Sequence, residues 1–288
     1  MERWSYCHMD PDKIQVLGIF CPLCGADTGL IWREKNLIAR RCKKCRVIFC
    51  PSSKETHSIY DERYFERWYI RMRFRRKRYL KKLIEKIEKI LNLQPGSLLD
   101  IGCGAGIFLE IMKEKGWEIS ATEISPYACR YCKENGFDVI CCQLEEAGFL
   151  DSNFDLVTIL DVIAHLHKPQ NYLKEIHRIL KQDGLLVIKT PHHPSFLFVF
   201  ANLFSFTNRS RSLLHIPAQI FHFTPGSIKK FLSRNGFHIL SIIRVNDIPA
   251  FLLSFSLKSM CILLEQLFLR AVFGSDSLVV IARKKFHI

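Results

Sequence analysis

The sequence predicts a doubly wound α/β domain preceded by a small cysteine-rich ribbon, and three observations carry this prediction. An apolar run at 98–101 ends in alternate glycines and is followed by an amphipathic segment. The next apolar run, at 118–122, is followed by an acidic residue, Glu123. Two Cys-x-x-Cys pairs lie upstream, between residues 21 and 45. Strand, glycine turn and helix in that order are how α/β folds build a nucleotide site.

The glycine turn comprises Gly102, Gly104 and Gly106. Because glycine has no Cβ atom, the backbone there can take a positive φ and a ligand can lie directly against it. Asp100, at the strand end, can accept hydrogen bonds from turn amides or from a cationic ligand. Glu123 is placed to accept both hydroxyls of a ribose. A tight structural turn explains the glycines alone equally well, but the glycines together with the acid favour a nucleoside ligand.

The spacing at 100–106, Asp-x-Gly-x-Gly-x-Gly, differs from the Gly-x-Gly-x-x-Gly of dinucleotide-binding folds. It resembles the class I, seven-stranded, S-adenosylmethionine (SAM)-dependent methyltransferases, and the likeness extends from about residue 60 to the C-terminus. Further segments in the order of that family lie at 154–159, 161–169, 173–191 and 222–232. The resemblance implies a Rossmann-like sheet of strand order 3-2-1-4-5-7-6 with the last strand antiparallel, and SAM as methyl donor.

The resemblance also implies which residues contact SAM. Gln143 stands where the family usually has Asp, and its side-chain carbonyl can accept the same bond from the adenine amino group. In the family, the aromatic segment around Tyr64 and Phe65 tends to cover the cofactor, although a core role fits these aromatics equally well. Leu144 would offer its backbone amide to the adenine ring. The implied SAM contacts are Asp100, Ile101, Gly102, Cys103, Gly104, Gly106, Glu123, Ile124, Gln143, Leu144 and Leu160.

A second departure from the family is Ala164, where relatives often have a glutamate. The ubiquinone-pathway O-methyltransferases use that glutamate for a divalent metal, and alanine cannot ligate one. His165 follows the fourth strand and His192 the fifth, so both are expected at the sheet edge where open α/β folds bind ligands. We take these two histidines as candidate catalytic bases for an oxygen acceptor, with a structural role as the alternative. His193 and His222 are expected in the same layer.

The upstream cysteines are Cys21, Cys24, Cys42 and Cys45. Two such pairs, seventeen residues apart, predict a structural zinc ion held by four thiolates. The apolar stretch at 30–38 would form the ribbon, and the metal would supply much of its folding free energy. A pair of redox-active motifs is the alternative.

The chain divides into three predicted parts. Residues 1–58 form the zinc ribbon, residues 59–94 a linking basic helix, and residues 95–288 the methyltransferase domain. Pro95 and Gly96 mark the second boundary. Two unusually apolar helical insertions are predicted in the last part, at about 196–222 and 248–273. Helices packed together as a lid are one interpretation, and an interfacial pair that reaches a lipid-linked substrate is the other.

Charge and cysteine content bear on partners and compartment. The formal net charge is +14, and much of the excess lies in residues 63–89. A solvated helix face explains this segment, and phosphate contact with RNA or an anionic membrane surface is the alternative.

The first twelve residues lack a cationic start followed by an apolar run, which argues against a secretory signal. Twelve cysteines are then expected as metal ligands and buried thiols in a reducing compartment. We therefore expect a cytoplasmic protein, which could be peripheral at the inner face of the membrane.

The resulting functional hypothesis is a SAM-dependent methyltransferase acting on a small-molecule, sugar or lipid-linked acceptor, with O-methylation favoured. A ribosomal or transfer RNA methyltransferase is the second hypothesis, because some enzymes of that class also begin with a zinc module. A non-catalytic adaptor with a methyltransferase-like body is the third, and it rests on Gln143 and Ala164. The sequence does not determine the acceptor atom or the oligomeric state.

Overall fold

The computed structural model describes residues 19–51, 62–91, 93–192, 197–198, 201–202, 214–216, 218–246, 267, 271 and 275–285. The predictions for residues 1–18, for His193, for the Tyr64 side chain and for most of both apolar insertions lie outside this part of the chain. None of the helices within it has both the length and the apolar character needed to cross a bilayer.

The main sheet has seven strands in the order β6-β5-β4-β7-β8-β11-β10. Counted from β4, this is the predicted order 3-2-1-4-5-7-6, so the predicted fold class is confirmed. β11 runs antiparallel to both of its neighbours, as expected, whereas the strands from β6 to β8 are parallel. The strands are β4 Ser97–Ile101, β5 Glu118–Thr122, β6 Val139–Ile140, β7 Phe154–Leu160, β8 Leu180–Pro191, β10 Phe237–Val245 and β11 Ser277–Lys284.

The sheet is buried on both faces, which is why its central strands are almost continuously apolar. Successive side chains point to opposite faces of a strand. In β4, Leu98 packs in one core cluster, whereas Leu99 and Ile101 pack in the other. Val279 and Val280 of β11 are divided between the two clusters in the same way. The central strands are therefore held rigidly between two helical layers.

Prolines and a capping threonine mark the starts of three helices. Pro126 and Pro169 occupy the first turns of their helices, where a missing amide costs nothing. Thr224 caps the last helix by accepting a hydrogen bond from the Ser227 amide. The helices are α1 Glu62–Phe65, α2 Arg73–Leu91, α3 Ile107–Glu114, α4 Pro126–Glu134, α5 Pro169–Ile179 and α6 Pro225–Arg234.

The segment between the ribbon and β4 departs from the single long helix predicted. After α1 the backbone forms a π-helical turn, Glu66–Ile70, and α2 starts only at Arg73. π-helical turns often occur at functional sites. Here the turn places Tyr69 against the glycine turn, as described below.

The ribbon is built around a hairpin. The stretch at 30–38, which was predicted to form the ribbon, lies in this hairpin, made by β1 Thr28–Glu34 and β2 Leu37–Cys42. Lys35 makes the turn with a positive φ of 53°. β3 Ile48–Phe49 pairs with β2, and β9 Phe221–His222 pairs with β3 as the fourth strand. A strand from the C-terminal half of the chain thus completes the ribbon sheet.

Part of the first apolar insertion packs on this ribbon. Phe198 is fully buried, and its ring meets the His222 ring edge-on at 5.1 Å between centroids. Trp32 and Ile48 of the ribbon lie in the same core cluster. Among the described residues of this insertion, the apolar side chains at 197, 198, 201, 214 and 216 belong to this core cluster, whereas Asn202 and His215 are exposed.

One pair of cysteines differs from the expected buried thiols. Cys129 of α4 and Cys141, just after β6, form a disulfide. Cys103 and Cys132 remain buried thiols, as expected. The disulfide ties α4 to the end of β6 beside the candidate adenine site.

Candidate functional site

The glycine turn connects β4 to α3. Gly102 and Gly104 have backbone φ values of +74° and +56°, which residues other than glycine rarely adopt. A Cβ atom on Gly102 would lie 2.5 Å from a Val162 methyl group, and one on Gly104 would lie 2.4 Å from the Tyr69 ring. Neither position has room for a side chain, so Val162 and Tyr69 pack directly against the backbone of the turn.

Glu123 ties this turn to the end of β5. Its Oε2 accepts from the Gly104 amide at 2.8 Å. Its Oε1 accepts from the Ile124 and Ser125 amides at 2.8 and 2.9 Å. The carboxylate is 9% exposed, so its stabilisation depends on these three amides. The structure thus gives Glu123 a second task, orienting the turn, besides the predicted contact with a ribose.

Asp100 is buried directly beneath the turn. Its Oδ1 accepts from the Thr158 hydroxyl at 2.6 Å. Burial raises the pKa of Asp100 to about 7, the Thr158 hydrogen bond opposes the rise, and the negative charge of Glu123 adds to it. A cationic ligand above the turn would favour the ionised form of this side chain.

The remaining predicted SAM contacts surround the turn. Ile101 and Cys103 are buried on either side of Gly102, and Leu160 ends β7. Ile124 is 42% exposed beyond β5, where an adenosine could pack on it. Gln143 and Leu144 begin a short helical turn after β6, with Gln143 exposed and Leu144 buried. These positions are compatible with the predicted contacts, and their roles remain predictions.

An aromatic cluster covers the glycine turn, and one of its members, Tyr69, was not predicted from the sequence. Tyr69 stacks on Phe65 with 5.5 Å between ring centroids, and Phe65 meets Tyr131 edge-on at the same distance. The Arg76 guanidinium lies 4.6 Å from the Tyr69 ring centroid. Arg73 donates to the Ala105 carbonyl at 3.3 Å. The four-residue spacing of Phe65 and Tyr69 was the available signal.

His165 lies where it was predicted, after β7. The distance from its Nδ1 to the Ala218 carbonyl oxygen is 2.6 Å. Since a carbonyl only accepts, Nδ1 carries the proton and the lone pair of the neutral ring is on Nε2. Burial lowers the pKa of His165, while the Ala218 hydrogen bond and the charge of Asp161 oppose the change.

The other histidines are more deeply enclosed. Burial and the positive charge of Arg244 lower the pKa of His192 to about 4. Burial, with contributions from His215 and His165, lowers the pKa of His222 to about 3. His192 forms an isolated strand bridge with Phe223, next to His222. The structure therefore brings His165, His192 and His222 to one edge of the sheet and keeps these three rings neutral near pH 7.

An ion pair between a buried lysine and a partly exposed aspartate at the same edge was not predicted. Lys189 of β8 is 1% exposed, and its Nζ donates to both Asp161 oxygens at 2.6 and 2.8 Å. Asp161 has a positive φ of 60°, and its amide donates to the Lys189 carbonyl at 2.8 Å. A buried ammonium needs such a partner. The pair fixes the turn that leads from β7 to His165.

The four ribbon cysteines form the one group of metal-binding side chains found among the described residues. The Sγ–Sγ distances are 3.6 Å for Cys21–Cys45 and 3.4 Å for Cys24–Cys42. Tetrahedral Zn–S bonds of about 2.3 Å place sulfurs roughly 3.8 Å apart. The Lys44 and Cys45 amides point to the Cys42 sulfur at 3.3 Å. This donor set fits a zinc ion.

The ribbon is connected to the histidine edge through residues 218–222. The Ile220 amide donates to the Ala164 carbonyl at 2.8 Å, and the Ala218 carbonyl accepts from His165. The next two residues, Phe221 and His222, form β9, which pairs with β3 of the ribbon. The cysteine cluster and the carboxyl edge of the main sheet thus share one short segment of chain.

Comparisons with known proteins agree with this geometry. A family model described as a methyltransferase domain matches residues 72–242. The mitochondrial ubiquinone biosynthesis O-methyltransferase of Schizosaccharomyces pombe is 34% identical over 101 residues, which cover 32% of this chain and 37% of that protein. The protein of the same name from Ruegeria pomeroyi is 32% identical over 102 residues, covering 32% of this chain and 40% of its own. The chain thus spans less than half the length of either relative.

A solved structure supports the fold alone. The crystal structure of a SAM-dependent methyltransferase from Archaeoglobus fulgidus superposes with a TM-score of 0.52 and 24% sequence identity. The superposition covers 78% of this chain and 100% of that one.

Proposed function

The chain belongs to the methyltransferase-domain family, and from that premise we propose that it transfers a methyl group from SAM to an oxygen of a small-molecule or lipid-linked acceptor. The observation that carries the proposal is the glycine turn with Glu123 hydrogen-bonded to the Gly104 amide. The acceptor class is supported by the relatives named ubiquinone biosynthesis O-methyltransferase. We propose a cytoplasmic enzyme that can be peripheral at the membrane.

The proposed SAM site lies along the carboxyl ends of β4, β5 and β6. Bound SAM supplies an electrophilic methyl group on a sulfonium. Residues 100–106 would lie against its methionine part, Glu123 would accept from the ribose, and Gln143 and Leu144 would contact the adenine. The turn, fixed by Glu123 and Asp100, would hold the donor in place, since alignment accounts for much of the rate enhancement in such transfers.

His165 is the better placed of the two candidate bases. With its Nδ1 proton donated to Ala218, the ring would take the acceptor's proton at Nε2 as the oxygen–methyl bond forms. Its lowered pKa keeps the ring neutral near pH 7, which such a base requires. His192, with a pKa of about 4, would be a weaker base.

We propose that Cys21, Cys24, Cys42 and Cys45 hold a structural zinc ion. The Cys21–Cys45 thiol contact and burial raise the pKa of Cys21, and burial raises the pKa of Cys42. A divalent cation would offset the cost of ionising these packed thiols.

The experiment that tests the proposed function uses purified protein and SAM labelled in its methyl group. Label should enter the lipid or small-metabolite fraction of a cell extract, and His165→Asn should slow the transfer by about 10² to 10⁴. Label in the RNA fraction would support the RNA hypothesis instead. Donor binding without transfer to any fraction would support the adaptor hypothesis.

A further inference from the structure

The structure divides the basic residues of α2 between two faces. One face carries Arg73, Lys77 and Lys81, which form ion pairs with α3. The N–O distances to Glu110 are 2.7 and 2.9 Å, and those to Glu114 are 2.9 and 3.2 Å. The three positive charges of this face are therefore paired with carboxylates of α3. The opposite face of α2 points to solvent.

The other face carries six basic residues at spacings of three or four, which place them in one line along the helix. All six are exposed. Arg71 precedes α2 in helical conformation, so the line extends over about 27 Å. We call this surface the basic stripe; it consists of Arg71, Arg75, Arg78, Lys82, Lys86 and Lys89.

The stripe's charges are largely uncompensated. Within the described ranges, five of its members have no acidic partner within ion-pair distance, namely Arg71, Arg78, Lys82, Lys86 and Lys89. Glu85 is the one acidic residue exposed on this side of the helix in the structure. A solvated helix face usually mixes both signs of charge more evenly, so a face with six basic residues and one acidic residue indicates an anionic partner.

Large exposed apolar side chains lie at both ends of the stripe. Phe74 is 78% exposed, one turn from Arg71 and Arg78, and Ile90 is 46% exposed next to Lys89. An apolar ring among cations suits the headgroup region of a bilayer, where the ring enters the interface and the cations stay with the phosphates. Single-stranded RNA is bound differently, by grooves with several stacking aromatics. Phe74 is the one highly exposed aromatic on the described part of this helix.

We propose that the basic stripe docks the protein on an anionic phospholipid bilayer. The stripe begins beside the glycine turn, since Arg73 donates to Ala105 and Tyr69 covers Gly104. This inference deepens the proposed function, because docking there would bring a lipid-linked acceptor near the enzyme. Vesicle binding itself requires no methyl transfer.

The test measures binding of the full chain to vesicles by cosedimentation. Wild type should bind phosphatidylcholine vesicles containing about a third phosphatidylglycerol, lose that binding at about 1 M salt, and ignore pure phosphatidylcholine. Each removed charge should weaken binding about fivefold. The variant Arg71→Gln, Arg78→Gln, Lys82→Gln, Lys86→Gln should therefore weaken it at least a hundredfold.

The matched control removes four exposed charges from other helices: Arg130→Gln, Lys133→Gln, Lys174→Gln and Lys229→Gln. Its binding should change only a few-fold, whereas equal losses in both variants would overturn the proposal by showing that net charge alone drives binding. Wild type that ignores anionic vesicles, or that binds an RNA oligonucleotide more tightly through the same four residues, would also overturn it. Calorimetry should give unchanged SAM affinity in both variants. A negative result in the vesicle assay would therefore overturn the docking proposal without affecting the proposed methyl transfer.

Discussion

Ile48 of β3 and His222 of β9, which comes from the C-terminal half of the chain, are register partners in the four-stranded ribbon sheet. The side chains of Val47 and Phe49 continue into the same core cluster as Leu99 and Ile101 of β4. Loss of structure at the cysteine cluster should therefore also destabilise the core around the seven-stranded sheet.

We predict that Cys42→Ser releases the zinc ion and destabilises the whole molecule. Zinc binding contributes several kcal/mol or more to folding, so the melting temperature of the main transition should fall by roughly 10 °C. Calorimetric scans with elemental analysis measure both effects. Cys142→Ser, outside the cluster, is the control. A main transition that stays in place after zinc loss would mean that the ribbon is energetically separate.

Asp100 should make stability depend on pH. Because its pKa of about 7 in the folded protein exceeds the value of about 3.9 in an unfolded chain, the folded state binds the proton more tightly. The free energy of unfolding should therefore decrease as the pH rises from about 4 to 7.

Asp100→Asn removes this charge and keeps an acceptor for Thr158. The variant should be more stable than wild type above pH 7, by up to about 4 kcal/mol, with the difference vanishing near pH 4. Denaturant unfolding at several pH values measures this, and Asp138→Asn, at an exposed site, is the control. Parallel pH curves for wild type and Asp100→Asn would refute the assignment.

His165→Asn tests the proposed base without removing the hydrogen bond to Ala218, because the Asn amide can still donate. The turnover number should fall by about 10² to 10⁴, and SAM affinity should stay the same. His167→Asn, two residues away and exposed, should be silent. Wild-type activity should decline only below pH 6.5, since the pKa of His165 is lowered. Full turnover in His165→Asn would exclude it as the base.

The features that could be predicted from sequence are those whose residues lie close together in the chain at fixed spacings. The glycine turn, Glu123 and the four cysteines fall within local patterns whose geometry follows from backbone chemistry. The strand order came from the resemblance of several ordered motifs to one family, and the sheet has that order.

The features missed depend on contacts between distant parts of the chain. β9 has only two residues, too few for an alternating pattern, and its pairing with β3 spans more than 170 positions. The ion pair of Lys189 with Asp161 is apparent only once β7 and β8 lie side by side. The contact of Tyr69 with Gly104 depends on the π-helical turn, for which no sequence pattern was available.

The central claim is that SAM binds at the glycine turn through Glu123, and titration calorimetry tests it most directly. Wild type should bind SAM with a micromolar dissociation constant, about 8 kcal/mol. Glu123→Ala should cost about 1–3 kcal/mol, because the ribose and the Gly104 amide both lose a charged acceptor. Glu118→Gln, exposed at the start of the same strand, should bind like wild type. No heat of binding with wild type, or equal affinity in Glu123→Ala, would contradict the account.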